Sequence, residues 1–186
     1  GAKVIQEDSR NLSKIRNDGV AVASGEIVVT LDADSIISEN MLSEIDKALA
    51  SQRYIGGGVS IQLDRYSLGL CLTSFLIKTY VWLTGLSGGL YWCFRRDFEA
   101  VGGFNERLHF GEDLDFARRL KAFGKKRRLK FITLNKGYIT TSSRKFDKLG
   151  DWYLLRLMLF QRKKIKKGLT GEDTSFTDEF FYDFNK

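Results

Sequence analysis

Apolar positions along this chain fall into two spacings, and the spacings divide it into elements. Residues 10–24, RNLSKIRNDGVAVAS, put Leu12, Ile15, Val20 and Ala23 roughly on one face, which predicts a helix that Gly25 is suited to end. Residues 26–31, EIVVTL, are a nearly continuous apolar run, as expected of a strand covered on both faces. A helix is predicted over 39–50, with Met41, Leu42, Ile45 and Leu49 as its stripe and Ser38 as its cap. Residues 2–5 are a short strand candidate, and Gly56–Gly58 break the chain before another strand near 58–63. Further on, the pattern predicts a helix over 70–84, a strand over 88–95, a short helix over 96–101 and a helix over 113–123 stopped by Gly124. A strand near 128–134 follows, then an irregular piece with TTSSR at 140–144, and an amphipathic helix over 148–166.

Strands alternating with helices argue for an α/β fold with a mostly parallel sheet. We expect one main domain over 1–147, followed by a helix and an acidic, aromatic tail over 148–186. The 186 residues suffice for one core, and 43% hydrophobic against 28% charged residues is an ordinary globular balance. The most apolar region, 68–94, is interrupted by Lys78 and four glycines, so we expect it to be buried or interfacial rather than spanning a bilayer. Cys71 and Cys93 sit in apolar surroundings without metal-ligand spacing, which favours a reducing, cytoplasmic location over a disulfide framework. The net charge of +7 favours anionic or phosphorylated partners without choosing among them.

Two acidic clusters carry candidate chemistry. Asp32 and Asp34 close the apolar run 26–31, where ligands bind in open α/β sheets. Two carboxylates so close repel unless a cation sits with them, and oxygen donors on a short loop suit Mg²⁺ or Mn²⁺ with a diphosphate completing the shell. The alternative is that both simply cap the turn into helix 39–50. Glu112 and Asp113 follow Gly111 at a helix start, where the helix dipole favours an ionised carboxylate able to accept a proton. The alternative there is an ordinary acidic first turn, with Asp115 solvated. Gly88–Gly89 and Gly102–Gly103 permit either close ligand approach or plain turns. His109 is ambiguous. The basic run Arg118–Lys130 reads as a solvated face; no aromatic-interleaved motif accompanies it, so no nucleic-acid partner is expected.

In order, SKIRNDGVAVASGEIVVTLDAD (13–34), GGLYWCFRRDFEAVGGFNERLHFGEDLDFARRLKAFGKK (88–126) and TTSSRKFDKLG (140–150) resemble a family-2 glycosyltransferase of the GT-A fold, a Rossmann-like three-layer α/β/α sandwich. The resemblance covers most of residues 1–150. It implies that Asp32 and Asp34 form the Asp-x-Asp motif binding the divalent metal and the nucleotide-sugar diphosphate. It implies that Asp113, within Glu112–Asp113, is the catalytic base of an inverting transfer. Arg16 and Asn17 match an Arg-Asn pair that serves either the scaffold or the diphosphate, and Arg144 stands where a basic residue meets the diphosphate. The implied partners are a nucleotide-diphospho-sugar donor and a glycan or lipid-linked acceptor.

The family's first two strands, which cradle the nucleotide, have no counterpart here. GAKVI resembles the third strand, and QEDS at 6–9 is no substitute for the missing acidic loop. The resemblance therefore implies an N-terminally truncated fold or another way of holding the donor, and it leaves open a non-catalytic α/β module. It also leaves strand 26–31 with an open edge, for which pairing with a second copy is expected. Helix 148–166 carries Trp152, Tyr153, Leu154, Leu157 and Phe160 and then basic residues, which suits either an anionic inner membrane face or packing on the domain.

Overall fold

The computed structural model describes residues 2–108 and 110–160. Its elements in chain order are α1 (Leu12–Val22), β1 (Ile27–Thr30), β2 (Ser35–Ile37), α2 (Met41–Ala50), β3 (Tyr54–Leu63), α3 (Leu68–Thr84), β4 (Tyr91–Phe94), α4 (Arg95–Ala100), α5 (Glu112–Lys126), β5 (Lys130–Thr141), α6 (Arg144–Leu149) and α7 (Tyr153–Phe160). The strands form one sheet in the order β1-β4-β3-β5-β2.

The fold is the expected GT-A-like α/β arrangement, but the sheet is mixed rather than mostly parallel. Only β3 and β5 run parallel; β1–β4, β3–β4 and β2–β5 are antiparallel. The cause is topological. The parallel neighbours β3 and β5 are joined by a long crossover through α3, β4, α4 and α5, as parallel pairing requires, and within it β4 returns reversed after α3 and inserts between β1 and β3.

Alternation along β4 divides the core. Tyr91 and Cys93 face a cluster with Val20, Val28, Ile55, Phe98, Phe104, Phe116 and Leu120, beneath α1, α4 and α5. Leu90 and Trp92 face the other side, with Met41, Ile45 and Leu49 of α2 and with Val59, Leu134 and Ile139. Helices therefore cover both faces, as the apolar run at β1 suggests.

Several local expectations are corrected. Residues 2–5 form no strand, and Val4 is exposed. Gly124 does not stop α5, which runs on to Lys126. A Cβ there would lie 2.7 Å from Ile55 Cγ2, so the glycine lets helix and sheet approach closely. Ser38 does not cap α2; its backbone N–H donates to Tyr138 O (2.9 Å) and its Oγ accepts from Tyr138 N (3.1 Å), tying the corner to β5. Strand β2 and the extension of β5 to Thr141 arise together, because each completes the other's ladder. The predicted helix 148–166 is, where described, two pieces, α6 and α7, separated at Gly150 (φ 85°). Residues 161–166 lie outside the described residues. Among the described residues, no helix is long and apolar enough to cross a membrane. The apolar region 68–94 is not simply buried: much of α3 faces outward.

Candidate active site

Helix α1 starts where Asn11 Oδ1 accepts from Lys14 N (3.1 Å). Its position is set by Asn17. That side chain accepts from Phe104 N (2.9 Å) and donates to Phe104 O (2.9 Å) and Glu106 Oε1 (2.8 Å). Asn17 is thus a clamp on the Gly102–Phe104 turn, where Gly103 has φ 63° and a Cβ would lie 2.7 Å from Asn17 Oδ1. Of the two roles open to Asn17 in the sequence, the scaffold is the one its bonds serve.

The clamp presents its neighbour, Arg16, to the acidic residues. Arg16 Nη2 donates to Asp32 Oδ1 and Nη1 to Glu112 Oε1, each at 2.8 Å, while the guanidinium lies 5.2 Å over the Phe104 ring. One cation therefore joins the tip of β1 to the start of α5. The Asp32 side chain is 44% exposed and that of Glu112 only 8%.

Asp32 and Asp34 lie in the turn between β1 and β2, closed by Ser35 N donating to Asp32 O (3.1 Å). They do not cap α2, whose cap position is Asn40, beyond β2. The Asp34 carbonyl accepts from Ser142 N (3.1 Å), which brings the TTSSR segment to the same place. Asp64, at the end of β3, fixes that segment by accepting from Ser143 N (2.9 Å) and Ser143 Oγ. Arg65 holds the next stretch through Asp147 and Asp151, both at 2.7 Å.

Asp113 is recessed behind the Gly88 loop: a Cβ on Gly88 would sit 3.0 Å from Asp113 Oδ2 and 3.7 Å from Tyr91 Oη. Burial raises the Asp113 carboxyl above the ordinary range and Asp32 adds to this, while a hydrogen bond from Leu114 N (2.7 Å) and the charge of Arg16 oppose it. The helix N-terminus alone predicts the opposite direction; desolvation outweighs it. Glu112 is likewise raised by burial and by Asp113, with Arg16 opposing. Tyr91 Oη is buried without a hydrogen-bond partner among the described residues, and burial followed by Asp113 pushes its ionisation up. Lys145 is recessed enough that desolvation lowers its pKa, against the attraction of Asp34 and Asp32.

Sequence reasoning missed these last two. Lys145 stood one place beyond the Arg144 that the motif suggested, and Arg144 itself is exposed at the start of α6. Tyr91 lay inside an apolar strand with nothing to separate it from core. Other candidates are spent elsewhere. Asp115 pairs with Arg119 (2.7 Å) rather than water alone, and Arg119, Lys121 and Arg127 of the basic run bond to Val101 O and Gly103 O, to Thr84 O and to Asp97. His109 lies outside the described residues. A cavity of about 500 Å³ between Leu49, Tyr54, Arg96 and Leu129 is lined by none of the acidic site residues.

Residues 1–101, more than half of the chain, match the family model described as glycosyl transferase family 2. The chain belongs to glycosyltransferase family 2. Residues 72–143 of this glycosyltransferase also match a model described as the N-terminal domain of galactosyltransferase. No curated protein matches the chain. In the family-2 glycosyltransferase the matched segments meet at the acidic site, Asp32 and Asp34 from the first and Glu112 and Asp113 from the second. Among its described residues, no group of three or more His, Cys, Asp or Glu side chains converges. The donor set nonetheless fits a hard cation that takes one or two carboxylates and completes its shell with water and phosphate. Asp32 has one oxygen on Arg16 and the other uncommitted by that bond, and Asp34 receives a long 3.3 Å bond from Ser35 Oγ.

Proposed function

We propose that this glycosyltransferase moves a sugar from a nucleotide-diphospho-sugar to the hydroxyl of a glycan or lipid-linked acceptor, with inversion at the anomeric carbon. Asp32 and Asp34 would hold Mg²⁺ or Mn²⁺, which supplies positive charge to the leaving diphosphate. Lys145, beside both aspartates, adds a protein cation on the same side. Asp113 accepts the acceptor hydroxyl proton; the freed oxygen bonds to the anomeric carbon as the bond to the diphosphate oxygen breaks, and the nucleoside diphosphate leaves with that electron pair. A carboxylate raised by burial is a stronger base than an exposed one, which suits the task. Gly88 leaves room beside Asp113 Oδ2 that any side chain would fill.

The observation that carries this reading is the single Arg16 guanidinium shared between Asp32 and Glu112. It supports a donor end and a base end within one cleft. Transfer assays with Mn²⁺ and a panel of nucleotide-sugars, run with calorimetric donor binding, test it. Asp113→Asn is expected to keep donor binding while transfer falls about 10²- to 10⁴-fold. Equal turnover by parent and variant, or an absence of both turnover and nucleotide binding in the parent, refutes the proposal.

A further inference from the structure

Helix α3 has its apolar stripe on the wrong side for a globular core. The residues it buries are Gly69, Leu70 and Thr73. The residues it turns outward include Leu68 (76% exposed), Leu72, Phe75 (64%), Trp82 (81%) and Leu83 (69%). Their spacing of four, three, seven and one keeps all five on one helical face. A contiguous outward apolar stripe of this kind is a contact surface rather than scattered exposure.

A second helix lies beside α3. Gly69 meets the backbone of Asp151 and the Trp152 ring, where an added Cβ would lie 2.8 and 3.2 Å away, so α3 and the start of α7 are fitted together. Trp152, just before α7, and Leu159 and Phe160 at its end are exposed as well. The charges point to the occupant. Residues 67–90 contain no Asp or Glu, and Lys78 is their one charged residue. Immediately after α7 the sequence carries Arg162, Lys163, Lys164, Lys166 and Lys167. Exposed Trp with an apolar stripe, and cations next along the sequence, match the boundary between acyl chains and anionic headgroups.

We propose that α3 and α7 together seat this protein on an anionic lipid leaflet. The chain leaves α3 directly into the Gly85–Gly89 loop, and Gly88 adjoins Asp113, so the seated face lies beside the acceptor side of the site. The inference rests on the exposed face, not on the transfer reaction, and binding is read without turnover.

Co-sedimentation of the 186-residue chain with phosphatidylcholine vesicles, with and without phosphatidylglycerol, provides the test. Strong binding is expected only when the anionic lipid is present, and Phe75→Ser/Trp82→Ser/Leu83→Ser is expected to lose roughly tenfold or more of it. These positions face solvent, so circular dichroism should match the parent. As a second measurement, bromolipids should quench Trp82 in a Trp152→Phe background, since Trp92 is fully buried. The proposal is overturned if the parent ignores anionic vesicles, if the serine variant binds as the parent does, or if Trp82 escapes quenching. It is also overturned if the parent is a dimer that the serine variant dissolves, because a second copy then covers the face.

Discussion

Replacing Arg16 with methionine removes the cation between the two acidic clusters while keeping much of the volume over Phe104. The two bonds it breaks have the same length, 2.8 Å, but not the same worth. Asp32 is 44% exposed, so water screens that pair and its loss costs about 0–1 kcal/mol. Glu112 is 8% exposed, and stripping the partner from a buried carboxylate costs about 3–5 kcal/mol. The second effect dominates. For a chain of this size each kcal/mol moves the midpoint by about 2–4 °C, so Arg16→Met should melt roughly 6–20 °C below the parent at pH 7. The deficit should depend on pH. Glu112 is already raised by burial and by Asp113, with Arg16 holding it down; without Arg16 it rises further. The penalty exists only while Glu112 is ionised, so it shrinks as the pH falls and the carboxyl is protonated. Adding Glu112→Gln should recover most of the loss at pH 7. Thermal unfolding of the three proteins, followed by circular dichroism, decides the matter. An Arg16→Met midpoint equal to the parent's, or a double variant no better than the single, would refute the assignment of Arg16 as the tie that makes Glu112 tolerable.

Asp113→Asn should match the parent's stability in acid and exceed it at pH 8. The folded carboxyl is raised, so its favourable contribution is present below the unfolded value near 4 and disappears as pH climbs through the folded value. Each unit of elevation would appear as about 1.4 kcal/mol in denaturant titrations at the two pH values, and a variant less stable at pH 8 contradicts the recessed, desolvated placement. The same elevation should put the acid limb of the parent's pH–rate profile above the range of an ordinary aspartate, which initial rates across pH will show. Among the described residues, β1 pairs only with β4, leaving its other edge open, so concentration-dependent self-association is expected. Light scattering that finds a monomer at every concentration argues against pairing through that edge.

The placement of the acidic pair at the tip of an apolar strand was legible, as was that of Glu112–Asp113 at a helix start framed by a glycine; the role read for them came from the family resemblance, since capping a turn or filling a first helical turn uses the same residues. Lys145 was not, since basic residues near a motif look alike until burial distinguishes the recessed one from its exposed neighbour. Tyr91 was not, because a hydroxyl inside a strand declares itself only when its partners can be counted. Strand β2 escaped notice for a physical reason: three residues with Ile36 exposed have no pattern of their own and exist by pairing with β5. Gly124 was misread since a glycine that ends a helix and one that lets a helix touch a sheet are the same letter. Periodicity grouped the apolar residues of α3 correctly but says nothing about which way the group points.

The three successive glycines of β3 leave a groove for the Trp92 indole: a Cβ on Gly57 would strike Ile132 O at 1.9 Å and the indole at 2.9 Å, and Trp92 Nε1 donates to Gly58 O (3.2 Å). Next to it, a Cβ on Gly58 would collide with Ser87 Oγ at 2.2 Å, and that hydroxyl is bonded to Thr133 Oγ1 (2.9 Å). The lip over Asp113 is thereby riveted to the middle of the sheet. A lip so fastened cannot yield to accommodate a bulkier guest, so selectivity at this threshold would be a matter of fixed shape. Variation in what crosses it would have to arise from the helix leading up to the lip, where side chains can change without disturbing the rivet.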